Sequence, residues 1–343
     1  MNDLKDIIKL LSEGKILSEQ QSVQAFSHIM SGQVDLSQMS AFVMALRVRG
    51  ETVDEITGGA RVLRDKAARV SVPDCAVDTC GTGGDGTGTY NISTAAAIVT
   101  AACGVPVAKH GNKSVSSKSG SADVLACLGI AFNLPIEAQE QALRELGIAF
   151  LFAPQHHKAM RHVAPVRASL GIRTIFNLLG PLANPALAKR QLLGVFDRKW
   201  LRPMAEVLGR LGSEHVWIVH GSDGLDELTT TGITYVTELK DGKLRDFEVS
   251  PEDVGLKRAS MTDLQGGEAA ENAAALLDLL DGTPSAYRDI VLLNTAAALL
   301  VGGKVADLKD GVAIAEDAID SGRAKTLLQK WAAFTQKHAV EKA

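Results

Sequence analysis

The chain has 343 residues, with 36 Lys plus Arg against 40 Asp plus Glu, a formal charge of −4, 46% apolar residues and only 4% aromatics. That balance excludes a dedicated nucleic-acid binder, the composition excludes disorder, collagen and coiled coil, and the length suggests two domains or one large one. The longest uncharged stretch, 86–108, holds an apolar part of only 14 residues broken by Gly104 and Pro106, too short to span a bilayer. The first 70 residues read as helices. LKDIIKLLSEG, SVQAFSHIMSG and MSAFVMALRVRG each place apolar residues three and four apart and close at a glycine. Asp3 and Asp6 sit where a secretory signal would need an apolar run, so no signal is expected there. Ser18, Ser37 and Thr52 are the expected N-caps, the last opening a fourth helix over 53–69.

The pattern changes at Pro73. CAVDT (75–79) is a short strand running into a glycine loop, followed by a small-residue helix at 91–103, a strand at 105–111 and a helix at 121–129. Strands at 148–152, 191–197, 215–221 and 233–239 follow, with a helix over 199–211 and Ala/Leu-rich helices from about 265. Strands separated by helices imply an α/β fold with a mainly parallel central sheet. The expected organisation is a small α-helical domain at 1–70, joined by a helical segment near 165–190, and a larger α/β domain at 71–343. Cys75, Cys80, Cys103 and Cys127 form no CxxC pair, so zinc is not expected, whereas a cytoplasmic chain with reduced, mostly buried thiols is.

Charge is segregated. Residues 86–122 contain Lys109, Lys113 and Lys118 and no acid, and residues 146–196 contain Lys158, Arg161, Arg167, Arg173, Lys189 and Arg190 and again no acid. Chance is one reading of this. The other is a site for a highly anionic small molecule, assembled from both windows.

Four motifs carry chemistry. DTCGTGGDGTGTYNIST (78–94) packs five glycines into residues 81–88 and formally matches GxGxxG. No acid follows before Asp123, which counts against a dinucleotide site, and no Gly-Lys-Ser/Thr ends the loop. What remains is a strand, glycine loop and helix presenting its N-terminus, with Ser93 and Thr94, to a phosphate. KHGNKSVSSKSGSAD (109–123) reads either as a solvated loop or as a phosphate clamp at the same sheet edge. In residues 156–185, Arg167 offers a planar bidentate donor suited to a carboxylate, while any one histidine there is more often structural. HGSDGLDELTTTG (220–232) brings Asp223, Asp226 and Glu227 together, either as a solvated acidic turn or as ligands for Mg²⁺ completed by phosphate oxygens. Together they fit a polyphosphorylated sugar that loses pyrophosphate while its anomeric carbon gains oxocarbenium character.

GTGGD at 81–85, NIST at 91–94, KHGN at 109–112, SVSSKSGSADVL at 114–125, VRASLGIRTIFNLLGPLANP at 166–185 and the DE pair at 226–227 occur in one order and spacing. With these the chain resembles the anthranilate phosphoribosyltransferases, over essentially its whole length. The resemblance implies a nucleoside phosphorylase/phosphoribosyltransferase-like fold, a cytoplasmic homodimer, and transfer of phosphoribose from phosphoribosyl pyrophosphate to anthranilate in tryptophan biosynthesis. It also implies no nucleic-acid or membrane partner. By position it places phosphoribosyl pyrophosphate on Gly81, Gly84, Asp85, Thr89, Asn91, Ile92, Ser93, Thr94, Lys109, His110, Gly111, Asn112, Lys113, Ser114, Val115, Ser116, Ser117 and Ser121. It places anthranilate on Gly81, His110, Asn112, His157 and Arg167, and two Mg²⁺ per monomer on Ser93, Asp226 and Glu227. It assigns no general base, leaving Lys109 and Arg167 electrostatic and positioning roles. Pyrimidine nucleoside phosphorylases share the fold and a lysine-containing phosphate loop, but they carry a further C-terminal domain and lack the full 166–185 segment.

Overall fold

The computed structural model describes residues 4–113 and 118–340. The expected contacts of Ser114, Val115, Ser116 and Ser117 therefore lie outside the described residues. Helices α1 (Leu4–Ser12), α2 (Glu19–Ser31), α3 (Leu36–Arg49) and α4 (Val53–Lys66) form the N-terminal bundle. Ser18 and Thr52 close capping boxes with Gln21 and Glu55, as S/T-x-x-E/Q predicts. Ser37 is not a cap: α3 has already begun at Leu36, with Asp35 at the N-cap position and no side-chain capping bond. The fourth helix ends at Lys66, three residues short of the expected 69, because Ala67 turns extended.

A seven-stranded sheet follows, in the order β3-β2-β1-β4-β5-β6-β7. Its strands are β1 (Val77–Gly81), β2 (Val107–Gly111), β3 (Ile148–Phe152), β4 (Arg190–Gly194), β5 (His215–Gly221), β6 (Thr234–Lys240) and β7 (Lys243–Val249). The first five run parallel, and β6 and β7 are antiparallel. Strand β7 lies outside the expected elements because its solvent-facing, charged KLRDFEV lacks an apolar run. The Asp-Gly turn before it was the available signal: Asp241 and Gly242 both take positive φ, 51° and 74°, as a two-residue hairpin requires.

Helices α5 (Ile92–Ala102) and α6 (Ser121–Cys127) cover one face of the sheet with α12 (Ala269–Leu280), α13 (Ala286–Val301), α14 (Leu308–Asp320) and α15 (Arg323–His338), and α7 (Ile136–Leu146) leads into β3. The other face shares a core with the bundle through α10 (Ile175–Leu182) and α11 (Leu201–Arg210), where Phe26 meets Phe42 and Phe176 edge-on at 5.6 and 5.8 Å. Arg64 pins the bundle by donating to the Leu182 and Leu211 carbonyls at 2.6 and 3.2 Å. Of the cysteines expected to be mostly buried, Cys80 and Cys103 are, while Cys75 and Cys127 are exposed. Among the described residues no helix is long and apolar enough to cross a membrane.

Candidate active site

From β1 the chain moves out to β2 and β3, and from β4 it moves the other way to β5. The order therefore reverses between β1 and β4, and the crevice beyond their carboxyl ends is where such sheets bind ligands. Gly81 and Gly194, the last residues of those strands, are paired in register. The loop after β5 folds over both. A Cβ on Gly194 would overlap the Asp226 main chain, and one on Gly81 would run into its carboxylate. Glycine at these two positions is thus what lets an acidic loop descend onto the strand ends.

The acidic turn resolves into two kinds of carboxylate. Asp223 is consumed internally, accepting from the Thr229 and Thr231 hydroxyls and from the Leu225 N–H at 3.1 Å. Asp226 and Glu227 face the cavity instead. Asp226 Oδ2 accepts the Gly83 N–H at 2.7 Å, and Glu227 Oε1 accepts the Ser93 N–H at 3.1 Å, so each acid holds one part of the glycine loop or helix start. The buried Asn294 amide brackets Leu228, accepting its N–H at 3.0 Å and donating to its carbonyl at 2.8 Å, and so sets the backbone beside the pair. Burial raises the pKa of both acids, with Asp85 adding to the rise at Asp226 and Asp226 to that at Glu227. Two enclosed carboxylates that resist ionising together are a natural seat for a cation.

Lys109 was expected to offer its ammonium to a ligand from a loop. It lies at 2% exposure on β2 and donates to the Thr79 carbonyl and, at 3.3 Å, to Ser93 Oγ. Burial lowers its pKa, opposed first by Asp78 and then by Cys80 and Glu227. Its charge therefore acts from beneath the helix start. Asp78 is the counterpart that sequence reading passed over. Fully buried in β1, it accepts the His110 N–H at 3.0 Å and a Gln191 amide hydrogen at 3.3 Å, tying three strands under the site. An acid inside an apolar strand is costly without such partners, and that was the signal available for it.

Around this floor the cavity wall is formed by Gly81, Gly84, Asp85, Thr89, Asn91, Ile92, Ser93, Lys109 to Asn112 and Ser121, enclosing about 220 Å³. Asp85 braces its own turn by accepting the Thr87 N–H at 3.3 Å and hydroxyl at 2.6 Å. Thr94 is buried inside α5, and Lys113 is exposed at the rim. Arg173, one of the six cations of the second acid-free window, stacks on Phe196 at 4.5 Å and packs against Gly84, where an added Cβ would lie 3.2 Å from its Nε.

A second cavity of about 340 Å³ opens between β2 and helices α8 (Ala153–His156), α9 (Ala164–Leu170) and α10. Pro154, Met160, Ala164 and Phe176 supply apolar walls, and His110, Asn112, His157 and Arg167 supply polar ones. Arg167 is half-buried, and its guanidinium has neither hydrogen bond nor ion pair among the described residues. A desolvated guanidinium without a counter-charge is expensive, and burial lowers its pKa. His110 and His157 meet edge-on at 5.2 Å, each with a buried Nε2 lacking a partner. Burial holds both rings well toward the neutral form, His157 at about 4. His156 is structural, bonding the Ala68 carbonyl at 2.8 Å and Gln139 Oε1 at 3.0 Å. A third space of about 280 Å³, lined by Gly81 to Gly84, His110 to Lys113, Ser121 and Arg167, connects the two.

Residues 5–67 match the glycosyl transferase family, helical bundle domain, and residues 74–325 match the glycosyl transferase family, a/b domain. An anthranilate phosphoribosyltransferase of Parvibaculum lavamentivorans is 59% identical over 335 residues, 98% of each chain. The chain belongs to the anthranilate phosphoribosyltransferase family. Among solved structures, the Thermus thermophilus member is 46% identical with a TM-score of 0.91, covering 96% of this chain and 99% of its own. The Saccharomyces cerevisiae member, solved in complex with PRPP and Mg, is 29% identical with a TM-score of 0.90, covering 97% and 98%. The family's two domains correspond to the helical bundle and the sheet domain described above, so the resemblance read from motifs holds at the level of the whole chain.

Proposed function

We infer that the connected cavities serve one group transfer. The chain transfers the phosphoribosyl group of phosphoribosyl pyrophosphate to the amine of anthranilate, giving N-(5'-phosphoribosyl)anthranilate and pyrophosphate, a step of tryptophan biosynthesis. It is a pentosyltransferase that uses Mg²⁺. The observation that carries this reading is the unpartnered Arg167 guanidinium in an apolar slot that opens onto the glycine loop. An aromatic carboxylate fills such a slot and supplies the missing charge.

We assign phosphoribosyl pyrophosphate to Gly81, Gly84, Asp85, Thr89, the helix start from Asn91 to Thr94, Lys109 to Lys113 and Ser121. The N-terminus of α5 favours an anion there, and Lys109 adds charge from below. Anthranilate takes its carboxylate to Arg167 and its amine toward Asn112 and Gly81, with His110 and His157 along the access route. Ser93, Asp226 and Glu227 would hold magnesium, two ions per subunit. Among the described residues no cluster of three or more His, Cys, Asp or Glu could hold a metal by itself, so phosphate oxygens complete the oxygen-rich shell. When bound, Mg²⁺ neutralises charge on the departing pyrophosphate.

The chain's own contribution is placement. Arg167 fixes the acceptor ring, the glycine-loop N–H groups and α5 fix the donor, and the connecting space aligns amine and anomeric carbon. An aryl amine is already neutral near pH 7, and the neutral His110 and His157 introduce no competing charge beside Arg167. We further propose a cytoplasmic homodimer divided at about residue 70, with the 165–190 segment belonging to the helical unit. Exposed Ile16, Leu36 and Val48 on the bundle support association between copies. Loss of anthranilate fluorescence that requires both phosphoribosyl pyrophosphate and Mg²⁺ tests the reading, and absence of consumption overturns it.

A further inference from the structure

Asn91 occupies the N-cap of α5, where an asparagine side chain ordinarily accepts a hydrogen bond from the first turn. It makes no such bond. Its Oδ1 instead accepts from Asn272 Nδ2 at 2.9 Å and, more weakly, from the Ser119 hydroxyl at 3.5 Å, and its Nδ2 donates to the Ser119 carbonyl at 3.3 Å. The orientation of an asparagine amide follows from its neighbours. Here the sequence of neighbours begins at a group whose polarity is not in doubt. The backbone N–H of Gly267 donates to Asn272 Oδ1 at 2.7 Å. Asn272 must therefore present its NH₂ to Asn91, and Asn91 must answer with its carbonyl oxygen. The donor end of Asn91 is left on the side of residues 118–119.

Asn272 is 2% exposed, sits on α12, and stands behind the cavity wall that Asn91 helps to form. The segment leading to it grips the glycine loop as well. Gly266 N–H donates to the Gly88 carbonyl at 2.9 Å, Gln265 donates to the Thr87 carbonyl at 3.0 Å, and Tyr90 N–H donates to the Leu264 carbonyl at 3.1 Å. Residues 264–272 thus form an outer rim that meets the donor-substrate loop at several points.

We propose that Asn272 is a positioning residue for phosphoribosyl pyrophosphate binding, setting the side-chain amide of Asn91 so that its donor end faces the loop and substrate side. The proposal rests on the assignment of Asn91 to that substrate. Reversal of Asn91 would put a carbonyl oxygen opposite the Ser119 carbonyl and toward an anionic ligand, replacing an attraction with a repulsion.

Asn272→Asp is the discriminating variant. It keeps an acceptor for Gly267, but its second oxygen can only accept, so Asn91 turns its NH₂ to it and loses the bond it donates to the Ser119 carbonyl. The expected result is a KM for phosphoribosyl pyrophosphate raised about tenfold, an anthranilate KM within about twofold, and a melting temperature lowered by only a few degrees. In an Asn91→Ala background the same change should have no further effect on that KM. Equal rises in both KM values with a large loss of thermal stability would reveal a merely structural role and overturn the proposal. Unchanged kinetics in Asn272→Asp, with Asn91→Ala still impaired, overturns the proposal alone. An Asn91→Ala variant with unchanged phosphoribosyl pyrophosphate KM overturns the assignment of Asn91 and the proposal with it.

Discussion

The two halves of the site are built by opposite means. The half we assign to the phosphorylated donor is made of backbone, glycine and charges that already have partners: Asp226 holds Gly83, Glu227 holds Ser93, and Lys109 lies between Thr79 and Ser93. The half we assign to the acceptor is made of side chains on short helices, and its defining group, the Arg167 guanidinium, has no partner among the described residues. A cradle whose members brace one another tolerates little change in shape. A pocket built around an unsatisfied charge depends on one contact and leaves its surroundings free to vary.

That contrast orders the expected effects. Gly194→Ala should do most damage, because the new methyl overlaps main chain that cannot move without dragging Asp226. A loss of about 3 kcal/mol of stability in urea unfolding, with activity nearly abolished, is expected; a stable, active protein would show that the acidic loop can lift. Asp226→Asn with Glu227→Gln comes next. Metal affinity should weaken about 100-fold or more, read from the Mg²⁺ dependence of turnover, and an unmoved titration curve would remove these acids from metal binding. Arg167→Ala should raise the anthranilate KM roughly 30- to 100-fold, the worth of one desolvated charged hydrogen bond. The KM for phosphoribosyl pyrophosphate should stay within about twofold, and comparable rises in both would erase the division between the halves.

The smallest effect concerns pH. His157 has a folded pKa of about 4 against an ordinary 6.5, because burial disfavours its charged form. The unfolded chain thus binds more protons between those values, so stability is intact above about 6.5 and declines as pH falls toward 4. His110 and His156 shift in the same direction. His157→Asn should flatten this limb in denaturation measured from pH 7 to 4; an identical slope would mean that the imidazole is accessible to solvent.

Most of the architecture was legible in the sequence because period and punctuation are local. Three- and four-residue spacing, Ser18 and Thr52 caps and apolar runs ending in glycine located the bundle and the parallel strands. Strand β7 was not legible by hydropathy, since an edge strand facing water carries charges in place of an apolar run. Ser37 failed as a cap because helix starts depend on where the preceding turn releases the chain. Arg167, Asp226 and Glu227 stood out by residue type near glycine-rich or strand-end positions. Asp78, Asn272 and Asn294 did not, because each acts through partners more than 30 residues away in the chain.

The sequence alone determined which elements form and which residue types the chemistry could draw on. Its near-neutral total concealed two acid-free windows; Lys109, Lys113 and Arg167 from them line adjoining cavities, whereas Lys189 and Arg190 pair with Glu214 elsewhere. Only the tertiary structure decided how each charge is used. Lys109 and Asp78 became buried charges with separate partners beneath the loop, Asp223 a staple within its own turn, and Arg167 a half-buried guanidinium without a side-chain partner among the described residues. The physical reason is that a charge takes its role from desolvation and nearby partners. Both are set by segments far apart in the chain, and neither is written in local spacing.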